Sequence, residues 1–147
     1  MRQDGIDLDT SLGYLLKEAS SALRVAMEEV LRPLGMTVTH YSCLELLAQR
    51  PGLSNSELAR GAFVTRQSMN VLLQALERDG FVTRPDEAPV GKALPARLTP
   101  RGRRSLEQAS AAIRGVEQRM LAGLSADDRD AALRSLRSMV DALRAGR

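Results

Sequence analysis

Residues 54–80 predict two short helices joined by a tight corner, and this feature constrains the fold of the 147-residue chain more than any other. Ser54 and Glu57 have the spacing of a capping box, in which each side chain accepts a hydrogen bond from the backbone amide of the other residue, so a helix is expected to begin at Ser54. Gly61 is suited to end that helix, and Thr65 offers an N-cap for a second helix only a few residues later. Two helices joined by so short a turn form a helix-turn-helix.

The second helix is predicted to be amphipathic, with one apolar and one polar face. The apolar residues at helical spacing are Met69, Leu72, Leu73 and Leu76. The opposite face carries amides, an arginine and a valine, at Gln67, Asn70, Val71, Gln74 and Arg78. Asn and Gln can bond adenine bidentately, Arg bonds guanine, and Val can contact the thymine methyl group. The polar face therefore predicts a helix that reads bases in double-stranded DNA.

A hairpin is predicted directly after this helix. Residues 81–84 and 93–98 have the pattern of strands, and the turn-rich stretch 85–92 separates them. Thr99 and Pro100 then supply the N-cap and the first residue of a new helix. Because almost no spacer precedes the hairpin, it must lie beside the second helix as a wing, from which it can reach the neighbouring DNA groove.

Positive charge is concentrated in the same part of the chain. The net charge is +3: residues 51–104 carry +4, residues 1–50 carry −2, and the remainder carries +1. With 44% hydrophobic residues, a chain of this length is expected to form one core rather than two. The predicted reading unit is therefore also the most basic segment.

Other classes of function find little support. No apolar run approaches the length of a membrane span and no export signal is recognisable, so we expect a cytoplasmic protein that does not bind membranes. With one Cys and one His, the chain has no internal disulfide and provides poorly for a metal site. We expect neither metal nor cofactor. No catalytic triad, phosphate-binding glycine loop or paired carboxylate motif indicates an enzyme.

Both ends of the chain carry apolar residues at helical spacing. One such stripe runs along residues 8–31, and an N-cap at Ser125 divides the tail into two further helices. The stripes could close a monomeric core. Dimerisation is favoured, because two recognition helices facing half-sites about one helical turn apart require a symmetric dimer. The dimerisation residues expected on these stripes are Leu8, Leu12, Leu136, Val140 and Leu143.

The complete arrangement resembles the MarR family of winged helix-turn-helix regulators. A core helix from about Thr37 to Arg50, the unit SNSELARGAFVTRQSMNVLLQALERDGFVTR and a wing ending in ARLTPRG carry the resemblance, with a long helix before them and two helices after them. The similarity implies an α+β, mostly α fold and a triangular homodimer. It also implies a transcriptional regulator, in this interpretation a repressor that binds a pseudo-palindromic DNA operator and is relieved by a small aromatic or phenolic ligand.

The domain boundaries follow from the same resemblance. Residues 1–147 are expected to form a single MarR-type domain. The winged helix-turn-helix would occupy about residues 37–100, and the dimerisation helices about residues 6–32 and 105–145.

By position, the start of the second helix would enter the major groove, with Gln74 close to the DNA backbone. The residues expected to contact DNA from this helix are Arg66, Gln67, Ser68, Asn70, Val71 and Gln74. Many family members carry an Asp-Arg step at the wing tip, and here the corresponding stretch has no Asp. Lys92 would have to take the part of that arginine, with Arg84 and Arg97 as alternatives and a solvated surface charge as the simpler interpretation of each.

Three arginines follow the wing, in the first helical turn, where cations oppose the helix dipole. They are Arg101, Arg103 and Arg104. Contact with DNA phosphates would favour them there, since each such contact releases a counterion. An intramolecular carboxylate is the alternative.

The resemblance also implies a cleft for the effector between the dimer helices and the DNA-binding lobe. Polar or aromatic residues on the helices expected to line it are Tyr14, Arg24, His40 and Tyr41. Packing or surface pairing is the alternative for each.

Cys43 supports a second hypothesis, a thiol-based redox sensor or enzyme. It follows His40 by three residues on one helix face, where an imidazolium could lower the pKa of the thiol. Cys43 also lies among Leu44, Leu46 and Leu47, a pattern typical of a small buried hydrophobe. The family's oxidation sensors have their reactive cysteine in the first helix, where this chain has none, so an inert thiol is favoured.

Overall fold

The structure is a computed structural model that describes residues 5–84 and 95–146. Its helices are α1 (Leu12–Leu31), α2 (Val38–Gln49), α3 (Asn55–Gly61), α4 (Arg66–Arg78), α5 (Pro100–Leu121) and α6 (Ala126–Arg144). A 3-10 turn (Arg32–Leu34) follows α1, and two strands, β1 (Val82–Thr83) and β2 (Arg97–Leu98), pair antiparallel between α4 and α5. The predicted α+β, mostly helical winged helix-turn-helix is confirmed.

A Ser or Thr hydroxyl caps the N-terminus of each of these six helices. In every case the hydroxyl accepts a hydrogen bond from the backbone N–H three residues later; the caps are Ser11, Thr37, Ser54, Thr65, Thr99 and Ser125. The predicted capping box is complete, because the Ser54 N–H also donates to Glu57 Oε1 at 3.0 Å. Each such cap stabilises the protein by about 1 kcal/mol.

The first helix begins later than the sequence predicted. Residues 7–10 form a turn in which the Thr10 N–H donates to the Asp7 carbonyl at 3.2 Å, and the Ser11 hydroxyl then caps the helix by accepting from the Tyr14 N–H. Leu8 was expected on the apolar stripe of this helix, and it lies before it instead. The apolar spacing extends to residues before Ser11, but the Ser11 hydroxyl caps the helix and so determines where it begins.

The wing strands are shorter than predicted, with two residues each rather than 81–84 and 93–98. Val82 pairs with Leu98, and Thr83 pairs with Arg97. The turn-rich stretch 85–92, including Lys92, lies outside the described residues. The helix after the wing begins at Pro100, as predicted from the Thr99 cap.

The hydrophobic core lies between the end of α1, the helices α2, α3 and α4, the strands and the first half of α5. Its largest fully buried side chains are Leu31, Leu44, Leu58, Met69, Leu73, Leu76, Val82 and Cys43. Three of them are on the predicted apolar face of α4, whose polar face is exposed. The core therefore fixes which face of α4 is presented to solvent.

Phe81 joins the end of α4 to the start of α5. The Thr99 N–H donates to the Phe81 carbonyl at 3.1 Å, and the Thr99 hydroxyl donates to the Gly80 carbonyl at 2.6 Å. A Cβ atom at Gly102 would overlap the Phe81 carbonyl oxygen, so only glycine allows this approach. The Arg101 guanidinium carbon lies 4.8 Å from the centroid of the Phe81 ring. We call this group of contacts, between residues 80–81 and residues 99–102, the α4–α5 junction.

Candidate nucleic-acid interface

An open cleft of about 650 Å³ lies where the N-terminal ends of α3 and α4 meet the base of the wing. It is lined by Ser54, Asn55, Ser56, Arg66, Gln67, Asn70 and Arg84. We call it the reading cleft. It brings together four residues that the sequence predicted for DNA contact, Arg66, Gln67, Asn70 and Arg84. Its lining includes two arginines and no carboxylate, so it presents positive charge and hydrogen-bond donors.

The other predicted residues of α4 lie on the same exposed face. Val71 is 61% exposed, and Gln74 is exposed one turn after Asn70. Ser68 is exposed too, but it belongs to the helix cap: its N–H donates to Thr65 Oγ1 at 3.0 Å and its Oγ accepts from the Thr65 hydroxyl at 2.9 Å. The Ser68 hydroxyl is therefore oriented before any ligand arrives.

Sequence reasoning missed the contribution of α3 to this surface. Asn55 Nδ2 donates to Asn70 Oδ1 at 3.3 Å, which links the first residue of α3 to the exposed face of α4. The capping box predicted where α3 begins. It carried no information about which side chain of α4 the first turn of α3 would meet.

Arg84, the residue that follows β1, connects the base of the wing to α4. Its Nη2 lies 3.5 Å from Glu77 Oε1 on α4, and its side chain is only 18% exposed. Arg84 was predicted either as a groove reader or as a solvated charge. Arg84 is therefore not a freely solvated charge, because its side chain is mostly buried and its guanidinium is paired with Glu77 at the edge of the reading cleft.

The arginines of β2 and of the first turn of α5 have different surroundings from Arg84. Arg97 is exposed on β2, and Arg103 and Arg104 are exposed on α5. Within the described ranges neither Arg103 nor Arg104 forms a salt bridge, so the intramolecular carboxylate has no support there. Arg101 stacks on Phe81 in a cation–π contact that the sequence did not predict.

Among the residues that the structure describes, two of the four predicted for effector binding, Arg24 and Tyr41, border different clefts. Arg24 borders a cleft of about 420 Å³ between α1 and α2, and its Nε lies 3.1 Å from Glu28 Oε1. Tyr14 is exposed on α1. The Tyr41 hydroxyl donates to Glu45 Oε2 at 2.7 Å, and burial followed by this hydrogen bond raises the pKa of Tyr41 to about 12.

His40 and Cys43 lie on the side of α2 that packs against the rest of the winged helix-turn-helix. The His40 ring contacts Phe81 edge to face, with centroids 5.4 Å apart, and burial lowers the pKa of His40 below 6.5. Cys43 is fully buried, and burial raises the pKa of its thiol to about 12. A thiol held protonated and away from solvent is a poor nucleophile. This favours the inert thiol over the redox hypothesis.

Two properties of the described part of the chain bear on other activities. None of its helices is long and apolar enough to cross a membrane. None of its groups of His, Cys, Asp or Glu side chains is arranged to hold a metal ion.

The helix-turn-helix, the paired strands beside it and the polar face of α4 together define a winged helix-turn-helix protein of the DNA-binding class. The sequence profile of the MarR family matches residues 34–93. The HTH-type transcriptional repressor Rv2887 of Mycobacterium tuberculosis (strain ATCC 25618 / H37Rv) is 46% identical over 122 residues, which cover 83% of this chain and 88% of that repressor. The chain belongs to the MarR family of transcriptional regulators.

Solved structures extend the likeness. The complex of M. tuberculosis Rv2887 with DNA is 43% identical and has a TM-score of 0.73, covering 89% of this chain and 98% of that chain. The repressor CouR, bound to a 23-mer DNA duplex, is 28% identical and has a TM-score of 0.80, covering 95% of this chain and 98% of that chain. Rv2887 has also been solved with salicylic acid, and CouR with p-coumaroyl-CoA.

Proposed function

We propose that this protein is a homodimeric transcriptional repressor that binds a pseudo-palindromic DNA operator and is released from it by a small aromatic acid. The observation that carries this proposal is the reading cleft, which presents the polar start of α4 on a positively charged surface. Membership in the MarR family and the DNA-bound structures of Rv2887 and CouR support it. The regulator acts by binding rather than by catalysis, and it acts in the cytoplasm.

Within each half-site, α4 enters the major groove. Arg66 and Gln67 in its first turn and Asn70 in the next contact base edges, because these side chains are exposed and carry the donors and acceptors that distinguish base pairs. Val71 adds an apolar contact, while Ser68 and Gln74 lie nearer the backbone. Outside α4, phosphate contacts come from Arg97, Arg103 and Arg104, which have exposed side chains.

The dimer forms through α1, α5 and α6, which together with the winged helix-turn-helix make one MarR-type domain of the chain. The apolar residues of α6 support this step, because Leu136, Val140 and Leu143 are exposed in the single chain. Leu12, at the start of α1, is exposed as well. Burying such side chains against a second copy supplies the hydrophobic free energy for association.

Effector binding favours a dimer whose two α4 helices have the wrong spacing for DNA. A ligand shifts the equilibrium only by the difference in its affinity for the two spacings. Among the residues proposed to line its site, Arg24 shares an open cleft with Arg32, and the ligand carboxylate would replace Glu28 as the partner of Arg24. His40, Tyr41 and Tyr14 lie outside this cleft in the single chain, so their part in the site rests on the resemblance to the family. The salicylic acid complex of Rv2887 supports an aromatic acid as the effector class.

The test is to select bound duplexes from a random pool with the purified protein and then to titrate single variants on the preferred operator. We expect Gln67→Ala to cost about 1 to 3 kcal/mol and to relax specificity at one position. Gln49→Ala removes the same amide from an exposed site on α2, outside the reading cleft and the proposed dimer helices, and should leave binding unchanged. Arg103→Ala should flatten the salt dependence by about one unit of slope. Failure to enrich any sequence would refute the proposal.

A further inference from the structure

The reading cleft contains a contact between two amide side chains that belong to different helices. Asn55 is the first residue of α3 and Asn70 lies on the exposed face of α4, and Asn55 Nδ2 donates to Asn70 Oδ1 at 3.3 Å. Both side chains line the cleft. An asparagine carboxamide has one end that accepts hydrogen bonds and one that donates them, so a partner at one end decides which end faces a ligand.

We propose that Asn55 is a specificity-determining residue: it holds the oxygen of Asn70 against α3, so that Asn70 presents its NH₂ group to the DNA. This inference rests on the proposed function, because it concerns how α4 reads bases. Asn55 acts through Asn70, and it is therefore a positioning residue.

The position of Asn55 is set by its surroundings. The capping box of Ser54 and Glu57 fixes the start of α3, and Leu58 on α3 and Met69 on α4 are both buried in the core that holds the two helices together. The amide contact therefore joins two backbones that are already in place, and orienting Asn70 costs little additional conformational entropy.

No anionic side chain in the lining of the cleft binds the Asn70 NH₂ group. Arg66 and Arg84 also line the cleft, and no carboxylate does, so no anionic side chain in the lining competes for the Asn70 NH₂ group. The Glu77 carboxylate, which could attract donors nearby, is paired with Arg84. The NH₂ group of Asn70 remains available to the ligand.

The orientation changes the base that Asn70 reads. An unconstrained Asn commonly pairs with adenine, accepting from N6 and donating to N7. With its oxygen turned toward Asn55, Asn70 instead presents donors. The major-groove atoms that accept from them are O6 and N7 of guanine, O4 of thymine and N7 of adenine, but adenine places its N6 donor beside N7 and therefore offers a less favourable edge to an NH₂ group. We infer that the operator carries guanine or thymine, rather than adenine, at the base opposite Asn70.

Two substitutions at Asn55 give opposite predictions. Asn55→Ala removes the partner and frees the Asn70 amide to rotate. Asn55→Asp offers only acceptor oxygens, so the Asn70 NH₂ group must turn toward residue 55 and its oxygen toward the DNA. That oxygen accepts from N4 of cytosine or N6 of adenine. An acidic residue at the first position of a helix is compatible with the helix dipole, so both variants should fold.

Ser56→Asp is the matched control. It places the same charge in the same turn of α3 and in the same cleft, without a hydrogen bond to Asn70. Its added charge should weaken binding to every duplex by a similar factor. Any change of base preference seen in Asn55→Asp and not in Ser56→Asp is then due to the turned amide and not to repulsion of phosphate.

The measurement is base preference at each operator position, obtained by selection from random duplexes and checked by competition between duplexes that differ at one base pair. Asn70→Ala identifies the position that Asn70 reads. There we expect the full protein to prefer guanine or thymine by about fivefold to tenfold, Asn55→Ala to lose most of that preference, and Asn55→Asp to change it to cytosine or adenine. A merely structural role would lower affinity without changing the preferred base.

The possible failures are distinguishable. If the full protein selects no sequence, the proposed function fails. If it selects an operator whose base preferences survive both Asn55 variants, or are unchanged in Asn70→Ala, the repressor stands and the role of Asn55 is refuted. A preference for adenine opposite Asn70 in the full protein refutes it as well.

Discussion

The reading lobe, from α2 to the start of α5, differs from the last helix, α6, in where it places its apolar residues. Helix α4 buries Met69, Leu73 and Leu76, whereas the longer α6 buries none of its residues in the single chain. Leu143 of α6 is 77% exposed and Leu136 is 44% exposed. Both helices are amphipathic, so periodicity alone does not distinguish them. The lobe is stabilised by its own core, whereas α6 leaves its apolar residues exposed in the single chain.

The largest effect should come from a charge on the exposed apolar seam of α6. Burying a leucine contributes about 1.5 to 3 kcal/mol, and a symmetric interface loses it twice, so Leu136→Glu should weaken the dimer by about 3 to 6 kcal/mol. We expect a helical monomer that no longer binds a two-half-site duplex, measured by sedimentation and mobility shift. Ser138→Glu puts the same charge on an exposed polar position of α6 and should remain dimeric. A dimeric Leu136→Glu protein would show that α6 needs no partner.

A cavity in the lobe should have a comparable but independent cost. Leu73 is fully buried, so Leu73→Ala should lower the free energy of unfolding of the lobe by about 2 to 5 kcal/mol. The exposed Val71 on the same helix provides the control, because Val71→Ala should cost well under about 1 kcal/mol. Denaturant titrations at two protein concentrations separate the regions: the Leu73 effect should not depend on concentration, whereas the Leu136 effect should.

Gly102 tests the α4–α5 junction, where the two regions meet. Gly102→Ala forces a Cβ against the Phe81 carbonyl and should destabilise by about 1 to 3 kcal/mol. Gly115 lies on the same helix with open space around its Cα. Gly115→Ala should therefore stabilise, by about 0.5 to 1 kcal/mol, through helix propensity. Equal effects of the two substitutions in thermal unfolding would argue against a close approach at the junction.

Phe63 is the strained residue of the helix-turn-helix corner. Its φ is 60° and its side chain is 85% exposed, so it occupies a left-handed conformation with little burial in return. Phe63→Gly should raise the stability of the lobe by about 1 kcal/mol. Phe63→Asn, which also tolerates this conformation, should give part of the gain. A loss of stability in both would show that the Phe63 ring stabilises the corner through packing.

The smallest change should follow pH, through His40 in the lobe. Burial lowers the pKa of His40 below 6.5, with Asp79 opposing part of the shift, so the folded state favours the neutral ring. The unfolded chain takes up a proton at higher pH than the folded one. The stabilising contribution is therefore present above about pH 6.5 and is lost as the pH falls below it. The free energy of unfolding between about pH 5 and 8 checks this, with His40→Gln expected to remove the slope.

Helix starts in the lobe could be predicted because their determinants are local. Ser54 with Glu57, and Thr65, carry the caps within one turn of sequence. The start of α1 was misplaced because the apolar spacing of Leu8 and Leu12 was given more weight than the Ser11 hydroxyl.

Contacts between elements could not be predicted in the same way. The Asn55–Asn70 pair, 15 residues apart, depends on how α3 crosses α4, and the Arg84–Glu77 pair depends on where β1 leaves the lobe. Gly102 was read only as part of the ending ARLTPRG, because nothing in the sequence shows that a carbonyl lies against its Cα. The left-handed residue of the corner is Phe63 rather than Gly61, since the turn geometry follows from packing of both helices.

The α4–α5 junction couples the position of α4 to the tilt of α5. With 22 residues, α5 is about 33 Å long, and a rod of that length tilted by about 10° moves its far end by about 6 Å. Because Gly102 and Thr99 fasten the first turn of α5 to Phe81 and Gly80, the recognition helix must travel with it. A rotation of about 10° about the opposite end of α5 would therefore displace the start of α5, and α4 with it, by about the rise of one α-helical turn. This coupling between α4 and α5 depends on Gly102, because a Cβ atom there would prevent the close approach of the Phe81 carbonyl.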